Sequence, residues 1–386
     1  MSTLKVLSVF GTRPEAVKMA PVVNILKHTP GIESWVCVTA QHREMLDQVL
    51  ELFEIEPDVD LNIMRPGQSL ASLTANILEN LSPILKKIQP DWVLVQGDTT
   101  TVMAAALLSY YHQVRIGHVE AGLRTGDKWQ PFPEEVNRKI ASVLADLHFA
   151  PTQRSRENLL REGVPDWRIR VTGNPVIDSL QQITQRPAPP EITRFLEENQ
   201  IRPGGRRLTL ITAHRRENFG EPLEQICQAL RALALRYQNQ VHFVYPVHLN
   251  PNVKEVAHRM LEGIPNLSLL PPLGYLPMIH LMKHATLVLT DSGGIQEEAT
   301  AMGIPTLVLR HTTERPEGVA AGVLKLVGTD AQIIQTEAVR LLEDEQAYQA
   351  MATAKNPFGD GHAASRIVAA LQEFSDSRPE SIGETK

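Results

Sequence analysis

Short runs of β-branched and aliphatic residues alternate along the chain with segments whose apolar positions return every three to four residues. The two periods predict strands and helices in succession, the mark of right-handed βαβ units on a parallel sheet. In the first half the runs place strands at Lys5–Phe10, Trp35–Thr39, Trp92–Gln96, Ile116–Glu120, Leu147–Ala150 and Ile169–Thr172, with helices such as Glu15–Lys27 and Leu70–Lys87 between them. The pattern breaks after Ile183, where QRPAPPE is proline-rich and Asn199–Gly205 is polar with two glycines, so a domain boundary is expected near residues 175–205. It then resumes with strands at Leu208–Thr212, Val241–Tyr245, Leu267–Leu270, Leu287–Thr290, Thr306–Leu309 and Leu324–Val327. The predicted fold class is α/β, with two Rossmann-like doubly wound domains spanning about 1–175 and 176–360. Asn356–Gly361 interrupts the chain before a last helix, His362–Phe374, and 375–386 reads as a polar, frayed tail.

Composition narrows the class. The 386 residues exceed one ordinary core, and 42% hydrophobic with 21% charged residues suits two globular domains. A net charge of -6 disfavours nucleic acid as the main partner. Cys37 and Cys227 lie far apart in apolar segments, which suits neither a disulfide framework nor a zinc cluster. Lys5, Arg13, Glu15 and Lys18 interrupt the first twenty residues, so no signal peptide is expected there, and no membrane-spanning run of about 18 apolar residues occurs. A soluble cytoplasmic protein with no membrane partner is the expectation.

In doubly wound sheets ligands bind beyond the carboxyl ends of the strands, so the residues just after each strand carry the candidate chemistry. FGTRPEAVK follows the first strand and lacks GxGxxG, which argues against a nicotinamide cofactor; no cofactor is expected. Thr12 and Glu15 have capping-box spacing with Pro14 in the first turn. Capping leaves Arg13 and Lys18 unexplained, and two cations beside a helix N-terminus suit a diphosphate, with a solvated charged face as the alternative. Asp98 follows Gly97 at a strand end and is either a helix cap or a functional acid. Glu120 ends the next strand before a glycine turn and has no such ready structural role. His118-x-Glu120 lacks further ligands at metal-site spacing, so no metal is expected. Glu134 and Glu135 follow Pro133 in a first helical turn, where the helix dipole favours acids in any protein.

The second half adds cations and glycines. His214, Arg215 and Arg216 cluster after the strand Leu208–Thr212. In TDSGGIQEEA, Gly293 and Gly294 let an anion approach the backbone, Ser292 offers a hydroxyl, and Glu298 sits one turn along, within reach of a ribose diol. Arg315 follows in TTERPE. Met278, Leu281 and Met282 at helical spacing read as core, with Met278 a candidate edge of a base pocket.

FGTRPEAVKMAP, QHREMLDQVL, GDTTT, HVEAGLRTGD, PEEVNR, TAHRREN, YPVHLNPNV, TDSGGIQEEA and TTERPE, in that order over about residues 4–373, resemble the non-hydrolysing UDP-N-acetylglucosamine 2-epimerases. The resemblance implies GT-B architecture, two Rossmann-like domains facing a cleft with a C-terminal helix (361–374) packing back on the first, and a homodimer. It implies interconversion of UDP-N-acetylglucosamine and UDP-N-acetylmannosamine for bacterial surface polysaccharides. Matched position by position, Asp98, Glu120 and Glu134 would be catalytic, with His214 beside them and at the nucleotide. Arg13, Lys18, Ser292, Gly293, Gly294, Glu298 and Arg315 would hold UDP, joined by Met278 at the base. Gln41, Arg65, Gln68, Glu134, Arg215 and His248 match the family's second site, where UDP-N-acetylglucosamine acts as an allosteric activator. The chain departs from the pattern at Leu273 and Gly274, at His311 where an Asp is usual, and at Thr300-Ala301 in place of Pro-Ser. A glycosyltransferase of the same architecture, a hydrolysing epimerase and a non-enzymatic sugar-nucleotide sensor are the rival readings.

Overall fold

The computed structural model describes residues 3–40, 43–63 and 67–376. The chain forms two compact units, one of Met1–Ser179 with Gly359–Lys386 and the other of Leu180–Phe358. The first division falls inside the helix Pro175–Thr184, ahead of the proline-rich stretch.

The first unit carries β1 (Leu4–Phe10), β2 (Ile32–Val38), β3 (Val59–Asp60), β4 (Trp92–Gln96), β5 (Arg115–Val119), β6 (Leu147–Ala150) and β7 (Ile169–Val171) in one parallel sheet of order β3-β2-β1-β4-β5-β6-β7. The second carries β8 (Arg207–Thr212), β9 (Val241–Pro246), β10 (Leu267–Leu270), β11 (Ala285–Thr290), β12 (Thr306–Val308) and β13 (Leu324–Leu326), ordered β10-β9-β8-β11-β12-β13. Both orders run outward from a first strand to one side and then resume from its other side, the doubly wound arrangement expected from the alternation. The expected strands are present with ends shifted by up to three residues. Two-residue β3 is additional, too short to leave a periodic signal.

Local chemistry sets the elements. β4 is buried along its whole length, so its sequence WVLVQ shows no polar alternation. The helix Arg13–His28 starts in a capping box: Thr12 Oγ1 accepts from the Glu15 N–H at 3.4 Å, and Glu15 Oε2 accepts from the Thr12 and Gly11 N–H groups at 2.7 and 3.0 Å. Gly11 is required where the strand turns, because a Cβ there would lie 1.9 Å from Thr39 Oγ1. One face of the first sheet packs Leu7, Val93, Val95 and Ile116 on Leu81, Leu85 and Val102.

The last helix, Ala363–Asp376, completes the first unit. Asp178 accepts from the Ala363 and Ala364 N–H groups at 3.2 and 2.9 Å, and Trp92 meets Phe374 edge-on at 5.3 Å while donating from Nε1 to Ser375 Oγ at 3.1 Å. Helix therefore extends through residues read as tail, and 377–386 lie outside the described residues. In the second unit Ile211, Phe243, Tyr245 and Leu289 pack on Ile226, Leu230 and Leu233. Truncating a core leucine such as Leu230 to alanine costs about 2–5 kcal/mol. Among the described residues no helix is long and apolar enough to cross a membrane.

Candidate functional site

Each sheet changes winding direction beside its first strand, between β1 and β4 and between β8 and β11. Loops diverge there at the carboxyl ends and leave room for a ligand.

In the first unit that place holds two carboxylates in built surroundings. Glu120 is 6% exposed and adopts φ +63°, left-handed backbone that costs a residue with a side chain about 1–3 kcal/mol. Lys18 Nζ lies 2.6 Å from both its carboxylate oxygens, Asn174 Nδ2 donates to Oε1 at 3.0 Å, and Gln96 Nε2 donates to Oε2. These donors satisfy a buried charge that would otherwise be costly. Asp98 is held differently. Arg138 donates to its Oδ2, Asn137 Nδ2 donates to its backbone carbonyl at 3.0 Å, and His118 Nε2 bonds the preceding Gly97 carbonyl at 2.7 Å. Burial pushes the His118 imidazole down to about 4, so the ring is neutral at pH 7 and donates from Nε2.

Two sequence readings change here. Asp98 does not cap the following helix, because Thr99 Oγ1 accepts from the Val102 N–H at 3.3 Å and takes that role. Glu135 is a strut: fully buried, it accepts from Thr125 N at 3.1 Å, Gly126 N at 3.2 Å and Arg138 at 3.0 Å. Glu134 opens the helix Glu134–Leu144 and is half-buried. Lys18 is engaged with Glu120, and half-buried Arg13 opens the helix Arg13–His28.

The second unit presents the opposite chemistry. Ser292 precedes the helix Gly293–Ala301 without a side-chain cap, so its side chain does not take up the first helical N–H groups at Gly293 and Gly294. The Arg315 guanidinium packs on Gly293, where a Cβ would meet its terminal nitrogen at 2.6 Å, and Nε donates to Glu297 at 2.6 Å. Burial opposes ionisation of Glu314, but Arg315 and Arg310 outweigh it and hold that carboxyl at about 2. After β8, fully buried Asp291 accepts from the His214 and Arg215 N–H groups, both at 2.7 Å, and from Asn218 at 3.1 Å, while its other oxygen lies 3.6 Å from His214 Nδ1. That anchors the basic cluster. His214 stacks on His248 with centroids 5.5 Å apart and planes 12° off parallel.

Glu298 is buried on the same helix, and half-buried Met278 lies on Tyr275–Lys283, whose Leu281 and Met282 enter the core. Gln68 is half-buried in the loop before the helix Leu70–Ile88, whereas Gln41 and Arg65 lie outside the described residues. Among the described residues no group of three or more His, Cys, Asp or Glu could hold a metal.

Gln96, Asn137, Arg138 and Asn174 escaped the sequence reading. Asn174 lies just beyond β7, as Asp98 and Glu120 lie just beyond their strands, in the segment Gly173-Asn174-Pro175, and that position was its available signal.

A family model described as UDP-N-acetylglucosamine 2-epimerase matches residues 24–372. A UDP-N-acetylglucosamine 2-epimerase of Salmonella typhimurium is 55% identical over 96% of this chain and 99% of its own. The Neisseria meningitidis UDP-GlcNAc 2-epimerase bound to UDP-GlcNAc superposes with TM-score 0.89 at 48% identity, covering 96% of this chain and all of that one. The S. aureus MnaA–UDP co-structure gives TM-score 0.90 at 45% identity over 98% of this chain and all of that one.

Proposed function

The chain belongs to the UDP-N-acetylglucosamine 2-epimerase family, its non-hydrolysing branch, and is an isomerase of the GT-B fold class; we propose the route and the residues by which it works. C2 of N-acetylglucosamine has no adjacent carbonyl, so a carboxylate cannot remove its proton unaided. The C1–O bond to the diphosphate breaks first, and its electron pair leaves with UDP. The oxocarbenium-like sugar then loses the C2 proton to a carboxylate, forming the C1=C2 bond of 2-acetamidoglucal. Re-addition of UDP at C1, with a proton delivered to the opposite face of C2, gives UDP-N-acetylmannosamine without redox chemistry.

The observation that carries this reading is that one unit has an acid-lined switch point and the other an anion-seeking one. Departure of UDP needs positive charge and hydrogen-bond donors, offered by Arg315, the His214 ring and the Ser292-Gly293-Gly294 turn, with Glu298 for the ribose, Met278 for the base and Arg13 assisting. Asp98, Glu120 and Glu134 handle the positive charge and the protons on two faces. Lys18 serves through Glu120.

UDP-N-acetylglucosamine is also proposed as the activator, through Gln41, Arg65, Gln68, Arg215 and His248; the His214–His248 stack supports a link between the activator and substrate residues. A homodimer fits exposed Tyr110, Tyr111 and Val143 on two mutually packed helices, and a cytoplasmic setting and a role in surface polysaccharide supply fit a nucleotide-sugar substrate.

Incubation with UDP-N-acetylglucosamine alone in heavy water, followed by NMR, tests the route. The expected result is a mixture of two sugar nucleotides carrying deuterium at C2. Free sugar with UDP would instead indicate hydrolysis, and no change without an acceptor would indicate a glycosyltransferase.

A further inference from the structure

We infer that Arg138 is the positioning residue of Asp98, fixing one of its oxygens so that the other is presented to the sugar. The inference rests on the proposed catalytic role of Asp98. Arg138 is 4% exposed and reaches Asp98 from the helix Glu134–Leu144, forty residues further along the chain. One terminal nitrogen donates to Asp98 Oδ2, and the other donates to Glu135 at 3.0 Å. Among the described residues Asp98 Oδ1 has no hydrogen-bond donor, and the side chain retains 27% exposure. Both oxygens of Glu120, in contrast, are taken by Lys18, Asn174 and Gln96. Of these two acids Asp98 therefore keeps the oxygen free to meet a carbon-bound proton, and Arg138 decides where that oxygen lies.

The geometry also explains why the positioning group is an arginine backed by a glutamate. A planar guanidinium can donate to two carboxylates at once from fixed directions, which a single ammonium does less well. Glu135 is itself immobile, because the Thr125 and Gly126 N–H groups also bind it. Arg138 is thus braced against the Thr125–Gly126 turn and cannot swing away with Asp98. Asn137 on the Asp98 carbonyl and His118 on the Gly97 carbonyl fix the backbone, which leaves the carboxylate torsion as the freedom Arg138 removes.

A double-mutant cycle on the full-length protein tests this with Arg138→Met, Asp98→Asn and the pair, reading kcat, KM, UDP affinity by calorimetry and deuterium uptake at C2. Displacing a reacting group by about 1 Å costs roughly 100-fold in rate, so Arg138→Met is expected to lower kcat by about that factor with KM and UDP affinity within about twofold. The pair should be no slower than Asp98→Asn alone, since there is then no carboxylate left to position. Arg138→Lys keeps a cation beside Glu135 and should recover part of the loss; it replaces Arg138→Met in the cycle if that variant does not fold. A folded Arg138 variant with wild-type kcat, an additive cycle, or UDP affinity falling in step with kcat would overturn the inference. An active Asp98→Asn would instead overturn the catalytic reading beneath it, so the two failures are distinguishable.

Discussion

At β1/β4 the two following helices are sealed by their own side chains, Thr12 with Glu15 in one and Thr99 in the other, and the acids beside them are gripped by Lys18, Asn174 and Arg138. At β8/β11 the helix after Ser292 has no side-chain cap, and buried Asp291 spends its charge steadying the His214 segment. The two places share a winding pattern and differ in the chemistry they present: a carboxylate oxygen in one, an uncapped helix start beside Arg315 and the His214 segment in the other. The difference teaches that a doubly wound sheet supplies the location of chemistry, whereas its sign is decided by whether the helix start is closed by a side chain.

The contrast predicts separable losses. Asp98→Asn should lower kcat by about 1,000-fold, inside the range for removing an acid–base group, while calorimetric UDP affinity stays within about twofold. A parallel loss of UDP binding would erase the distinction between the two places. Gly293→Ala does the reverse: its Cβ would press on the Arg315 guanidinium at 2.6 Å, and UDP affinity should fall about tenfold, or ~1.4 kcal/mol, with kcat at saturation little changed.

Acid should find the buried histidines. Burial lowers His118 to about 4, His148 to about 3 and His242 to about 4 from 6.5, so the unfolded chain binds the extra protons. Their contribution is complete above pH ~6.5 and is lost as pH falls toward those depressed values, at ~1.4 kcal/mol per pH unit for each histidine. His148→Gln should flatten a plot of unfolding free energy against pH by one proton, and an unaltered slope would contradict the assignment. The smallest effect is expected at His311, where the exposed ring lies beside Gly328: His311→Asp should change UDP affinity by less than about twofold.

The sequence displayed whatever depended on neighbours. Strand runs, the Thr12–Glu15 box and the helix start at Ser292-Gly293-Gly294 are local patterns, and the structure contains each, whereas the lack of a side-chain cap at Ser292 left no mark in the sequence. The clamps were hidden because their partners are remote: Lys18 reaches Glu120 across 102 positions, and Asn174 reaches it across 54. Asp98 was open to misreading as a cap because Thr99, one residue on, is an equally good capping type and its φ of -70° with ψ of 168° fits that role. Arg138 had a faint signal. It lies three residues from Glu135 on one helix, spacing at which side chains meet, but nothing local pointed it at Asp98.

The manner in which the first unit ends has a consequence for biosynthesis. Trp92 and Asp178 leave the ribosome long before Phe374, Ser375 and the Ala363–Ala364 amides that satisfy them. All of Leu180–Phe358 must be translated in the interval, so the nascent acid-bearing half waits with an indole and a carboxylate unmatched until the final turns emerge. A message cut short before codon 363 would yield a complete second unit joined to an unfinished first one, a species for chaperones and proteases and not a slower enzyme.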